Sequence, residues 1–312
     1  MKKKISAVIL LLIVLFFVFL SFYNQRVTKD FFAMDTVISL NIKGLGAKKC
    51  AEKIEEEIIR LHEELSVNGN GALAAYNKGE NPREEVSFLL SESDRIRRET
   101  GGAFDAGIYS VTKLWGFTTG DFSVPSDADI KEALSLKGIR FDFGAIAKGY
   151  GADSARKIIE NHNVKEAVVS LGGTVLVFGE KDKRVAISSP DSEGYAAYLD
   201  VTNCIISTSG GYERYFSENG ETYSHIMNPE TGYPAKSGIV SATVIMEDGM
   251  RSDAYSTAVF VMGEEKAKEF WKEYTFGLVI ITEDNRMIIS ENLEGKISGI
   301  DEKYDLEIWH HE

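Results

Sequence analysis

The sequence predicts an α+β fold whose sheets are largely antiparallel with packed helices, preceded by an N-terminal membrane anchor. Three observations carry that prediction. Between Ala167 and Met246 the apolar segments follow one another with only turns between them, which antiparallel pairing permits and parallel pairing does not. Before and after that region, apolar residues recur at helical spacing. The first 29 residues hold a basic cluster and an apolar run that nothing later repeats.

In chain order, Lys2, Lys3 and Lys4 precede Ile5 to Phe22, an uncharged run of 18 residues. That is long enough to span a bilayer. No Ala-x-Ala pattern follows it, and no cysteine near Ser21 offers a lipid site, so an uncleaved anchor is favoured over a cleaved signal. The basic flank precedes the span, which places residues from about 24 onward outside the cytoplasm. Residues 1–29 are therefore read as anchor or signal plus tether, and 30–312 as one folded domain. Val37 to Ile42 alternates as a strand. Ala47 to Leu65 sets Cys50, Ile54, Ile58, Leu61 and Leu65 on one helical face. Residues 66–82 read as a loop. Arg83 to Thr100 is a second helix, stopped by Gly101-Gly102. Ser126 or Asp127 caps a short helix ending near Gly138. Ile139 to Phe143 reads as a strand and Lys148 to His162 as a helix. Strands follow at Val168–Leu171, Val175–Phe178, Arg184–Ser188, Ala197–Val201, Ile205–Ser207 and Ile239–Met246. Helices Ser252–Met262 and Glu264–Tyr274 precede a hairpin from Leu278 to Ser290, turning at Glu283-Asp284-Asn285.

Composition excludes some functions. The formal net charge is −13, and without the five basic residues of the first 29 the remainder carries −18. So acidic a body does not suit general nucleic-acid binding. An anionic ligand would need local lysines or a divalent metal. Cys50 and Cys204 are equally compatible with a disulfide and with two buried thiols. No Cys-x-x-Cys or His-Glu-x-x-His pattern supports zinc. Gly69-x-Gly71-x-x-Ala74 follows a helix rather than a strand, so it is read as a glycine-rich loop and not a dinucleotide fingerprint. No Walker A and no Gly-x-Ser-x-Gly pattern is present.

Three segments carry chemistry. Phe141 to Tyr150 places Asp142, a flexible backbone and Lys148 at the start of a helix, which suits a phosphorylated ligand bound with a metal. Ser207 to Tyr215, followed by Tyr223 to Pro234, offers hydroxyls, an arginine and His225, which titrates in the physiological range unless perturbed. Arg251 to Ala258 opens an apolar helix on which Asp253 and Thr257 share a face; both are hard oxygen ligands suited to magnesium. The bland alternative makes Asp253 a first-turn acid favoured by the helix dipole.

Together these segments resemble the FAD:protein FMN transferase family, the ApbE type. The resemblance runs through Met34-Asp35-Thr36, Gly102-Ala103-Phe104-Asp105, Asp142 to Tyr150, Leu171-Gly172-Gly173, Ser209 to Arg214, His225 to Gly232 and Asp253 to Ala258, in that order. It implies an ApbE-like fold and a magnesium-dependent transfer of FMN from FAD to a threonine or serine hydroxyl of a partner protein, with release of AMP. It implies that Asp253, Thr257 and the backbone oxygen of Ala145 hold Mg2+. It implies that Met34, Ala103, Phe104, Asp105, Asp142, Lys148, Met227 and Ser256 line the FAD site, and that His225, with Asp142 and Lys148, serves catalysis. The implied partner is an extracytoplasmic or membrane redox protein carrying Asp-x-x-Ser/Thr-Gly/Ser-Ala-Thr, a motif absent from this chain.

One position departs from the family. Where it has Ser-Thr-aromatic, with the aromatic packed on the flavin nucleotide, this chain has Ser66-Val67-Asn68. Asn68 cannot stack, which favours a second reading, hydrolysis of FAD to FMN and AMP. A non-catalytic flavin-binding protein is the reading from another class, and the intact Asp142, Lys148, His225, Asp253 and Thr257 argue against it.

Overall fold

A computed structural model describes residues 25–191 and 194–311. The expected anchor, Ile5 to Phe22, lies outside the described residues. A nine-stranded sheet runs β1 (Arg26–Ala33), β2 (Thr36–Gly44), β3 (Val164–Leu171), β4 (Thr174–Gly179), β7 (Cys204–Gly210), β10 (Ile239–Met246), β11 (Gly277–Thr282), β12 (Arg286–Ser290), β14 (Asp305–Trp309). Every neighbouring pair is antiparallel except β12 and β14. A smaller sheet orders β13 (Ile297–Ser298), β6 (Tyr195–Val201) and β5 (Lys183–Ser188). A separate hairpin pairs β8 (Tyr215–Glu218) with β9 (Glu221–Ser224).

The period-2 alternation of the central strands builds three layers. Ala242 and Val244 of β10, Leu278 and Ile280 of β11 and Ile288 of β12 face the helices. Their neighbours Ile245, Val279, Ile281, Met287 and Ile289 face the smaller sheet, against Ile187, Ala197 and Leu199. On the helical side lie α1 (Ala47–Leu65), α6 (Ala147–Glu160) and α7 (Gly249–Met262). The five apolar positions expected on the face of α1 are all buried. Cys50 sits in the helical-side core and Cys204 in the core on the opposite side of the sheet, both as free thiols, so no disulfide joins them. Burial pushes Cys50 up to about 12 and Cys204 up to about 11. A third cluster forms a small lobe from α4 (Tyr109–Leu114), α5 (Asp127–Ser135) and the β8–β9 hairpin, around Trp115, Phe117 and Ile130.

Several elements differ from expectation. Residues 24–30, read as a tether, contribute most of β1, a polar edge strand whose outward residues hide its alternation. The loop 66–82 contains a short helix, α2 (Ala72–Asn77), ahead of α3 (Glu84–Glu99). Ile139 to Phe143 is not a strand: the Asn77 amide brackets Phe141, accepting its N–H at 2.8 Å and donating to its carbonyl at 2.8 Å, and the Asp142 N–H goes to Ala106 O. A side chain thus satisfies the backbone that a neighbouring strand would otherwise pair. Ser126 caps α5. α7 starts three residues earlier than expected because Asp248 caps it, accepting the Arg251 N–H. α8 (Glu264–Tyr274) and the hairpin turning at residues 283–285 lie as expected.

Candidate active site

The site is built on the seam between α6 and α7, which run antiparallel in direct backbone contact. A methyl group on Gly149 would fall 2.0 Å from the Gly249 carbonyl, and one on Gly249 would fall 2.4 Å from the Gly149 carbonyl. Only glycine permits that approach. At this distance the helices exchange caps. Asp253 of α7 accepts the Gly149 N–H, in the first turn of α6, at 3.0 Å. Asp153 of α6 accepts the Gly249 and Met250 N–H groups of α7 at 2.9 and 3.1 Å. Asp253 is therefore not an acid in the first turn of its own helix; it serves the N-terminus of the neighbouring one.

Asp253 is 3% exposed. Lys148 Nζ stands 3.8 Å from its Oδ1 and 3.3 Å from the Gly144 carbonyl. Thr257 lies one turn beyond Asp253, with Oγ1 3.1 Å from Ser209 Oγ. Ala145 lies in the turn entering α6, and the Gly149 amide that a regular helix would direct to its carbonyl goes to Asp253 instead. A buried carboxylate met by one amide and one long lysine contact keeps acceptor capacity to spare. With a hydroxyl and a carbonyl beside it, the donor set is hard oxygen and fits magnesium, which takes few protein ligands and fills its octahedron with water and phosphate oxygens. Among the described residues no group of three or more His, Cys, Asp or Glu side chains forms a metal cluster.

Around this seam the chain supplies charges of both signs. Half-buried Asp142 accepts the Gly144 N–H at 2.9 Å. Desolvation holds its carboxyl above the usual range and Asp35 reinforces this, against the Gly144 N–H, Arg214 and Lys148. Arg214 donates to the Phe117 carbonyl at 3.1 Å. His225 contacts the Arg214 carbonyl through Nδ1 at 3.1 Å. A carbonyl only accepts, so Nδ1 carries the hydrogen and Nε2 keeps its lone pair. Desolvation, with the nearby Arg214 and Lys148, pushes His225 down to about 4. The imidazole is therefore neutral at pH 7 and able to take up a proton at Nε2.

The other expected residues divide in two. Met34 and Asp35 form the tight β1–β2 turn with left-handed φ of 51° and 59°, and Thr36 packs on Gly172. Asp105 is held by the Gly107 N–H and by Lys137, which also reaches the Pro229 carbonyl; this ties the Ala103–Asp105 segment to the turn after His225. Asp35 lies close enough to Asp142 to act on its carboxyl. Three of the expected side chains are enclosed by packing. Phe104 is buried in the main core. Met227 fills the small lobe. Ser256 is fully buried, bonded to Ser209 Oγ and the Asp253 carbonyl. Asn68 donates to the Thr118 carbonyl at 3.0 Å, bridging from the end of α1 to the small lobe.

Of four residues beside the site, Lys137 escaped the sequence reading, while Asp35, Glu213 and Arg214 lay in segments it singled out without being given a role of their own. Glu213 is felt electrostatically by both Lys148 and Asp253, and its carboxylate stands 3.4 Å from where a side chain on Gly173 would begin. The polar loop after β7 was the available signal, since it concentrates an acid and a base beside glycines.

The seam of an antiparallel sheet's two helices thus brings a buried carboxylate beside a lysine and a hydroxyl, with an arginine and a neutral histidine nearby. The chain belongs to the ApbE family, whose model matches residues 34–280. It is 28% identical to the FAD:protein FMN transferase of Haemophilus influenzae, over 79% of this chain and 78% of that protein. It is 30% identical to a protein of the same name from Klebsiella pneumoniae, over 65% of this chain and 71% of that protein. The crystal structure of the ApbE protein of Thermotoga maritima superposes with a TM-score of 0.82 at 30% identity, over 87% of this chain and 99% of that one.

Proposed function

We propose that this protein transfers FMN from FAD to a threonine or serine hydroxyl of a partner protein, releasing AMP, with Mg2+ as cofactor. The observation that carries the reading is the exchanged-cap seam, which leaves Asp253 buried beside Lys148 and Thr257 with one carboxylate oxygen not used by the Gly149 amide. The names of the curated relatives agree with it. Asp253, Thr257 and the Ala145 carbonyl would hold the metal, which when bound supplies charge neutralisation at the pyrophosphate. Lys148 and Arg214 add positive charge where the bridging phosphate becomes more negative. The acceptor oxygen attacks the FMN phosphorus, the bond from that phosphorus to the AMP oxygen breaks, and AMP leaves. The hydroxyl proton passes to Nε2 of His225, with Asp142 as the neighbouring carboxylate.

The anchor and outward orientation belong to the same proposal. The basic flank and apolar run of the first 22 residues support attachment to the membrane with the domain on its extracytoplasmic side, near membrane redox partners. Among the described residues no helix is long and apolar enough to cross a membrane.

Asn68 favours a second reading, FAD hydrolysis, because its amide is spent on Thr118 rather than offering an aromatic face. One experiment separates the two. Residues 25–312 are incubated with FAD, Mg2+ and a domain bearing the acceptor motif, and AMP and acceptor mass are followed. Addition of one FMN to the acceptor is expected. Equal AMP release with and without acceptor, and no added mass, would show the hydrolase.

A further inference from the structure

The β8–β9 hairpin is a short element that does no work in the sheet framework, yet His225 is its root. The His225 N–H donates to Arg214 O at 3.0 Å, directly below the Tyr215–Ser224 pair. The Arg214–His225 pair is therefore hydrogen-bonded, and alternation along an antiparallel ribbon makes Tyr215–Ser224 and Ser217–Thr222 the open pairs. Their N–H and C=O groups point away from the hairpin. The Asn219-Gly220 turn, with φ of 52° and 83°, closes the far end tightly and fixes this register.

The hairpin's surfaces are unequally covered. Arg214, Phe216 and Glu218 project to one face, where segment 117–124 meets all three: Arg214 on the Phe117 carbonyl, Phe216 against Phe117 and Phe122 at 5.7 and 5.4 Å, and Glu218 on the Val124 N–H. Beyond β9, residues 226 and 227 are paired with 234–235. The outer edge of β8 is flanked by Tyr215 on one face and Phe122 on the other, 55% and 47% exposed. A two-stranded ribbon with an open edge and an exposed aromatic on each side is suited to accept a third strand.

We infer that the acceptor protein docks by adding an extended segment to the outer edge of β8, with alternate side chains on Phe122 and Tyr215. The inference rests on the transfer reading above. It commits to the acceptor because the edge ends at Arg214, whose carbonyl accepts from both the backbone N–H and Nδ1 of His225, the residue that takes the acceptor's proton. A segment in register with β8 runs toward Arg214, the backbone partner of His225, so backbone pairing helps to deliver the hydroxyl.

The test uses Ser217→Pro, which removes an outward N–H without removing a hairpin bond. Ser217→Ala controls for the Ser217–Thr222 hydroxyl contact, and Tyr215→Ser removes one aromatic flank. Wild-type protein is first shown to place FMN on the motif-bearing domain; failure there overturns the transfer reading itself. KM for that domain is expected to rise about tenfold or more in Ser217→Pro and Tyr215→Ser, a loss of roughly 1.4 kcal/mol or more. Ser217→Ala should match wild type, and acceptor-free release of AMP should be unchanged in all three. Unchanged acceptor KM in both Ser217→Pro and Tyr215→Ser overturns the proposal. So does a rise in KM for FAD in step with that for the acceptor, which would place these residues on the flavin instead.

Discussion

The two ends of the α6–α7 seam use the same residue type for the same task and arrive at different chemistry. Asp153 spends both oxygens on two amides of α7 and, among the described residues, has no cation within salt-bridge distance. Desolvation, with Asp248 nearby, pushes it up to about 6 in spite of those two bonds. It borders a surface depression of about 410 Å³ shared with Arg156, Asp248 and Met250. Asp253 spends one oxygen on one amide, faces Lys148 with the other, and is more deeply enclosed. One carboxylate is consumed by the fold and the other is only partly consumed. A cap with a spare oxygen, aimed at a lysine and neighbouring the Thr257 hydroxyl, differs from one wholly consumed in joining two helices.

That contrast can be broken at three points. The largest effect is expected from Asp253→Asn. The amide oxygen can still accept the Gly149 N–H, so the domain should fold, but the charge proposed to hold the metal is gone. Turnover of FAD should fall by about 10³-fold, about 4 kcal/mol, and the rise in Tm caused by Mg2+ should vanish. Steady-state assays and thermal melts with and without Mg2+ check this, and full activity at saturating Mg2+ would make Asp253 a cap only. Next is Gly149→Ala, which drives a methyl into the Gly249 carbonyl and forces the helices apart. Overpacking against backbone should cost about 3 kcal/mol or more; urea denaturation measures it, and a wild-type midpoint would disprove the close seam. Smallest is Asp153→Asn, which can satisfy one amide rather than two and should lose about 1 kcal/mol with little change in turnover. Its pH dependence carries a sign. Asp153 binds a proton more readily folded than unfolded, so its contribution to stability grows as pH falls from 7 toward 5 and shrinks as pH rises through about 6. The gap in Tm between wild type and Asp153→Asn should therefore widen from pH 7 to pH 5. A gap that narrows would contradict the raised carboxyl.

The same contrast marks what the sequence could reveal. Asp253, Thr257 and Lys148 were legible because helical spacing and glycine placement are local signals. Asp153 was not, because its task is defined by Gly249 and Met250, nearly a hundred residues away. The antiparallel sheet was readable from strands joined by turns. β1 was missed because Thr28, Asp30 and other outward residues make it look like a polar tether. The supposed strand at Ile139–Phe143 has strand-like composition, and only the distant Asn77 amide decides otherwise. Arg214 lay in a segment already singled out, but its hold on His225 runs through a backbone carbonyl, which no side-chain pattern announces.

Cys50 and Cys204, one in each core of the layered fold, give the domain two internal clocks. Each thiol is buried and far from its reactive form, so a thiol reagent reaches it only when the layer that covers it opens. Cys50 answers to movement of the helices and Cys204 to movement of the smaller sheet. If the helical layer breathes first, as the proposed site on it would require, Cys50 is spent before Cys204, and the order of labelling becomes a record of which face of the protein is built to yield.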